Sequence, residues 1–173
     1  PKSLFEKGLA TTEPALYAQG SLAMLSSKQL DFSKGINLVT DPNIAKIAVA
    51  NPKTAPYGTA AVEAMKNANV LDKVESKFVY AESISQAVTY ATTAADVGFI
   101  AKSSLYDEKM SQYKENVNWI SVDPSLYTAI DQGIVVLKNT KEEASAKAFY
   151  DFILGEKAKE IFIKFGYLVK WVK

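Results

Sequence analysis

The stretch Asn51-Pro52-Lys53-Thr54-Ala55-Pro56-Tyr57-Gly58 is the part of the chain best equipped for chemistry. An apolar, β-rich run over residues 44–50 leads into it, and a helix-like run over residues 57–69 follows at once. A strand that ends in a turn bearing Pro and Gly and then opens a helix directs several backbone N–H groups outward. Together with the positive end of the helix dipole, those groups hold an anion without any charged side chain. A second turn of the same kind lies at Ser83-Ile84-Ser85-Gln86. Ser83 is an N-cap candidate, and Gln86 follows three residues later, as a capping box requires. Each turn also has a bland explanation. Pro and Gly shape many ordinary strand-to-helix connections, and a Ser ahead of a helix commonly caps that helix and nothing more. Two such turns at consecutive strand ends point to an anion more firmly than either does alone.

Other chemistry finds little support. There is no Cys and no His in the 173 residues. Disulfides, thiolate nucleophiles, imidazole bases and the usual zinc sites are therefore excluded. Asp96, Asp107 and Asp123 lack the spacing of a metal loop and read as solvated or capping carboxylates. Ser103-Ser104 has no His to activate it and no Gly-x-Ser-x-Gly elbow around it. The lysines of the C-terminal helices form a wet face, and Trp119, Trp171 and the tyrosines read as core or rim residues. Twenty basic against 19 acidic residues leave no broad electrostatic footprint for nucleic acid or an anionic membrane. Any anion selectivity must be local. No apolar run approaches the length of a membrane span. Binding is a better class than catalysis.

The elements that must position these turns alternate in type. Helices are expected over residues 3–8, 57–69, 83–91, 104–113, 141–154 and 156–165, with Gly155 and Gly166 as stops. Strands are expected over 21–25, 44–50, 78–80, 96–101, 117–122 and 133–138. Residues 9–20 read as a loop, and the segment after Lys28 as a polar connection with a helix-like turn near Asp41-Pro42. The alternation implies an α/β fold with a largely parallel sheet. In such sheets ligands bind beyond the carboxyl ends of strands, where helices begin. Both turns occupy that position.

The segment Asn51-Pro52-Lys53-Thr54-Ala55-Pro56-Tyr57-Gly58-Thr59-Ala60-Ala61 resembles the signature of periplasmic molybdate-binding proteins of ABC transporters. Glu82-Ser83-Ile84-Ser85-Gln86, Ala95-Asp96-Val97-Gly98-Phe99 and Gln132-Gly133-Ile134-Val135-Val136-Leu137-Lys138 are similar to that family in the same order. So is the ending, from Ala148-Phe149-Tyr150-Asp151-Phe152 to Phe165-Gly166-Tyr167. The resemblance spans essentially the whole chain. It implies a type II periplasmic-binding-protein fold, two α/β lobes joined by crossing strands. Residues 1–27 and 131–173 would form part of the first lobe with the hinge strands, and residues 28–130 the second.

The resemblance also implies a function. A molybdate or tungstate oxyanion would sit in the interlobe cleft, held by neutral donors, with no cofactor and no cationic metal ligand. The backbone N–H groups of Tyr57 and Ile84 match two of the family's anion contacts, with Pro56, Gly58 and Ser83 as supporting turn residues. The partner would be the membrane permease of an ABC importer, and the location periplasmic or at the cell surface. No signal peptide heads these residues. Two departures stand out. Some members place a Tyr hydroxyl just after the Val-Gly-Phe strand, where this chain has Ala101. The family also opens with a β-α-β-α-β portion that carries two hydroxyl-bearing ligand loops, and nothing here matches it. The first lobe is thus expected to be incomplete, and an upstream segment is expected in the intact protein. The runner-up reading is an oxyanion- or small-ligand-sensing effector domain of a transcription regulator. A small α/β hydrolase or transferase ranks below both, for want of a nucleophile–base pair.

Overall fold

The computed structural model describes residues 1–169; Trp171, read above as a core or rim residue, lies outside the described residues. The chain divides into two compact units, Pro1–Gly20 with Asp131–Lys173, and Ser21–Ile130. The sequence-based boundary at residue 27 falls seven residues beyond this division, and β2 (Leu22–Leu25) is an inner strand of the larger unit. All four residues of β2 are buried, so both faces of the strand need covering, and an inner position supplies that.

The larger unit is built on a five-stranded sheet. Its strands are β2, β3 (Ile47–Ala50), β4 (Phe78–Ala81), β5 (Val97–Ala101) and β6 (Trp119–Ser121), in the order β4-β3-β5-β2-β6. β3 runs parallel to both β4 and β5, whereas β2 is antiparallel to its neighbours β5 and β6. The expectation of a largely parallel sheet is therefore corrected to a mixed sheet with β2 reversed. β3 and β5 are buried along their whole length, as continuous Ile/Val/Ala-rich runs are when helices cover both faces. Helices α2 (Pro56–Asn67), α3 (Leu71–Val74) and α4 (Ile84–Thr93) join the parallel strands. Phe32, Leu38, Ile44, Met65, Val74 and Phe99 pack with the strands into one core. Close packing of α4 explains Gly98 in β5: a Cβ there would lie 2.6 Å from that of Ala91.

Two elements of this unit differ from expectation. Residues 104–113 form no α-helix but two short 3-10 turns, Lys102–Tyr106 and Glu108–Met110. Asp107 separates them in an extended conformation, and its carboxylate accepts from the N–H of Lys109 to start the second. The polar connection after Lys28 contains 3-10 structure over Phe32–Thr40, interrupted at Gly35 with φ 56°.

The smaller unit holds α1 (Lys2–Glu6), a two-stranded sheet of β1 (Ala15–Gly20) and β7 (Ile130–Ile134), and helices α5 (Glu143–Ile153) and α6 (Glu156–Lys164). β7 begins at the last residue of the larger unit. β1 falls within residues read as a loop, and β7 precedes the expected strand at 133–138. Both displacements come from pairing that only the fold supplies. Gly166 ends the helical tail with φ 79°, as a C′ glycine does. Among the described residues no helix is long and apolar enough to cross a membrane.

Candidate anion site

β3 and β4 end side by side. Their parallel register pairs Ala50 with Ala81, so the two turns leave adjacent strands about 4.8 Å apart. The N–H of Asn51 donates to the carbonyl of Ala81 at 2.8 Å and carries the pairing one residue into the first turn. Ala50, Ala81 and Ala87 are buried together beneath the turns, with Ala55, Ile84 and Tyr90 packed on them. The structure thus brings Tyr57 and Ile84 to neighbouring helix starts on one edge of the same sheet.

The first turn is folded by its own backbone and by Asn51. The Asn51 side-chain oxygen accepts from the N–H of Lys53 at 3.0 Å, and its carbonyl accepts from Thr54 at 3.1 Å and Ala55 at 2.9 Å. The Thr59 hydroxyl donates to the Pro52 carbonyl at 2.9 Å. Ala55 occupies the N-cap in an extended conformation, and no side chain caps α2. Pro56 has no N–H, while the N–H groups of Gly58 and Thr59 turn to the Ala55 carbonyl at 2.9 and 3.1 Å. Tyr57 follows Pro56 and carries the first N–H of this helix. Gly58 is required by space: a Cβ would lie 2.0 Å from the carbonyl oxygen of Ala50 and 2.7 Å from its carbon. The first turn of α2 rests directly on the end of β3.

The second turn is capped. Ser83 is extended, and its hydroxyl accepts from the N–H of Gln86 at 3.2 Å. The Gln86 side-chain oxygen reaches back to the N–H of Glu82 at 2.6 Å. This differs from a standard capping box by one residue, because the reciprocal bond would normally return to the N-cap itself. Among the described residues, none accepts from the N–H groups of Ile84 or Ser85. Those two groups sit at the positive end of a ten-residue helix.

The carboxylates set aside in the sequence are structural. Asp96 accepts from the N–H groups of Ala45 and Lys46 at 2.9 Å each and from the Lys28 ammonium at 2.7 Å. The Lys28 bond and the two backbone bonds hold its carboxyl below the usual range. Asp123 caps a short turn through the N–H of Ser125 at 2.9 Å, which lowers its pKa in the same way. No cluster of acidic residues capable of holding a metal ion occurs among the described residues. The indole of half-buried Trp119 donates to the Tyr113 carbonyl and lies under the Lys102 ammonium, 5.8 Å from its centroid. Sequence reasoning did not single out Asn51, the organiser of the first turn. Its signal was available, since Asn ahead of Pro commonly folds a loop through its own side chain.

A family model for bacterial extracellular solute-binding proteins matches residues 1–168. The chain belongs to this family. A molybdate-binding protein of Rhodobacter capsulatus is 38% identical over 173 residues, covering 98% of this chain and 66% of the relative. That of Azotobacter vinelandii is 34% identical over 164 residues, covering 94% and 64%. The chain thus spans just under two thirds of the length of these curated relatives. The solved structure of the Azotobacter vinelandii periplasmic molybdate-binding protein superposes with a TM-score of 0.87 at 28% identity, over 99% of this chain and 74% of that one. The fold is the type II periplasmic-binding-protein fold, as the resemblance implied, and these relatives are solute-binding proteins rather than enzymes.

Proposed function

We propose that this chain carries the larger part of a substrate-binding protein that captures molybdate or tungstate for an ABC importer. The observation that carries the reading is the pair of helix starts on adjacent parallel strands, with backbone donors at Tyr57 and Ile84 and no cationic side chain among the groups that fold them. Backbone dipoles stabilise a dianion without a salt-bridge partner and leave selectivity to cavity size and donor geometry. The names of the relatives at 38% and 34% identity support the same ligand. The roles divide by position. Tyr57 and Ile84 donate, Pro56 and Gly58 shape the first start, and Ser83 occupies its own helix's N–H groups so that the outer ones face the ligand.

The protein binds and does not catalyse. Neither Cys nor His is present, which removes thiolate and imidazole chemistry and supports this reading. Its partner is the membrane permease, and its place is outside the cytoplasmic membrane. The relatives extend beyond the match by about a third of their length. Each hydrogen bond to a charged oxygen contributes roughly 1.5–3 kcal/mol. Several such donors account for the ~8–12 kcal/mol of a micromolar to nanomolar site. Calorimetric titration of the full-length protein with molybdate, tungstate, sulfate and phosphate tests this. Molybdate and tungstate are expected to bind at least a hundredfold more tightly than sulfate. Sulfate binding as tightly as molybdate would overturn the assignment.

A further inference from the structure

α2 begins at the first anion turn without a side-chain cap, yet its far half is held by side chains that lie outside both turns. Glu63 and Asn67 stand four residues apart and share one face of the helix. Both carboxylate oxygens of Glu63 are engaged. Oε2 accepts from the N–H of Thr128 at 2.9 Å, and Oε1 accepts from the Thr128 hydroxyl at 2.8 Å. The Asn67 amide donates to the Leu126 carbonyl at 2.9 Å. Three bonds therefore join α2 to residues 126–128, across sequence separations of 59 and 65 residues.

The segment that these bonds reach is itself anchored within the larger unit. Asp123 caps the short turn Pro124–Leu126 through the N–H of Ser125. Tyr127 follows in an extended conformation, and its side chain is buried in the core. Its hydroxyl accepts from the N–H of Leu22 at 3.0 Å, while the Leu22 carbonyl accepts from the N–H of Val122 at 2.9 Å. Residues 122–127 are thus tied at both ends to the first residue of β2, an inner strand. The buried face of α2 is made of Gly58, Ala60, Ala61, Ala64 and Met65. Such small side chains leave shallow ridges, which resist sliding along the helix axis poorly. Directional hydrogen bonds to an anchored segment supply the axial register that this face does not.

We propose that Glu63, supported by Asn67, is a positioning residue: its paired bonds to Thr128 hold α2 in axial register, so that the Tyr57 N–H meets the oxyanion. The inference rests on the solute-binding reading. Glu63 follows Tyr57 by six residues, about 9 Å along the axis, and a displacement at one is passed to the other by the helix between them. At that range the Glu63 charge opposes a bound dianion. Its effects through position and through charge therefore have opposite signs, and substitution separates them.

The test uses the full-length protein with molybdate as the probe, by calorimetry for Kd and chemical denaturation for stability. Wild type is measured first. Failure of wild type to bind molybdate overturns the functional reading and is distinct from failure of the brace. Given wild-type binding, Glu63→Ala is expected to raise Kd by about fivefold, as one donor to a charged oxygen is partly lost. Glu63→Gln should restore near-wild-type affinity, because its carbonyl accepts from the Thr128 N–H and its amide donates to the Thr128 hydroxyl. Glu63→Ala combined with Thr128→Val should bind no more weakly than Glu63→Ala alone. Asp96→Ala removes bonds elsewhere in the same unit and should leave Kd unchanged, which separates positioning from general loss of stability. A Kd in Glu63→Ala that is within twofold of wild type or tighter overturns the brace. So does equal weakening in Glu63→Gln or in Asp96→Ala. If Glu63→Ala fails to fold, Thr128→Val takes its place, with a rise in Kd of about threefold expected from loss of the hydroxyl bond alone. Wild-type Kd in that variant then overturns the brace.

Discussion

The starts of α2 and α4 reach the same end by opposite means. α2 has no side-chain cap; Pro56 at its first position and the contact of Gly58 with the Ala50 carbonyl fix its entry angle. Packing against the strand does the work that a cap does elsewhere. α4 follows the edge strand β4 and is capped by Ser83, whose hydroxyl accepts from the N–H of Gln86, while the Gln86 side chain accepts from the N–H of Glu82. Local hydrogen bonding fixes this second start. The difference teaches where each turn is fragile. The first depends on a single missing Cβ, whereas the second shares its load over two modest bonds.

The largest effect is expected at Gly58. Gly58→Ala forces a Cβ to within 2.0 Å of a strand carbonyl, so α2 must lift away from β3. Overpacking of this kind costs about 3 kcal/mol of stability. Molybdate affinity should fall by about a hundredfold as the Tyr57 N–H is displaced. Chemical denaturation and calorimetry read both. Wild-type affinity in a folded Gly58→Ala protein would remove the first turn from the site.

Asp96 acts at the entrance of β3, at the opposite end of the sheet from the turns, and serves as the control for them. Asp96→Ala leaves the N–H groups of Ala45 and Lys46 without their acceptor and should cost about 1–3 kcal/mol. Molybdate affinity should be unchanged. The Lys28 ammonium is 63% exposed, so the backbone bonds carry most of this stabilisation. The pH dependence follows from the lowered pKa of Asp96. Its stabilisation is fully present above the unfolded carboxylate pKa of about 3.9 and is lost as pH falls through the lower folded value. Asp96→Asn should flatten that acid limb in denaturation curves taken at successive pH values.

Ser83→Ala removes a cap and should cost about 1 kcal/mol, with a loss of affinity of roughly threefold as the first turn of α4 frays. Gln86→Ala should cost about 0.5–1 kcal/mol by freeing the Glu82 N–H, which lies exposed and can turn to water. Thermal unfolding ranks the two. A Ser83→Ala penalty as large as that of Gly58→Ala would erase the contrast between the turns.

Much of this was legible in the chain because it is local. The Ser83 cap, the helix after Pro56 and the apolar strands at Ile47–Ala50 and Val97–Ala101 follow from neighbours within a few residues. What was misread is non-local or shared between competing local signals. β1 has few marks of a strand until β7 pairs with it, and Asp107 divides a helical pattern into two 3-10 turns by capping the second. The hydrogen bond between Gln19 and Asp131 was invisible too, since the two residues are 112 apart.

The sequence by itself determined the kinds of elements, the two helix starts and the neutral character of any donors there, because propensity, capping and composition act over short range. Only the tertiary structure decided that the starts are neighbours, because adjacency depends on the parallel register of β3 with β4. Only the fold shows why residue 58 must be glycine, because the atom it would strike belongs to a strand eight residues earlier. The reversed β2, and the pairing of β1 with β7, likewise exist only once distant segments have come together.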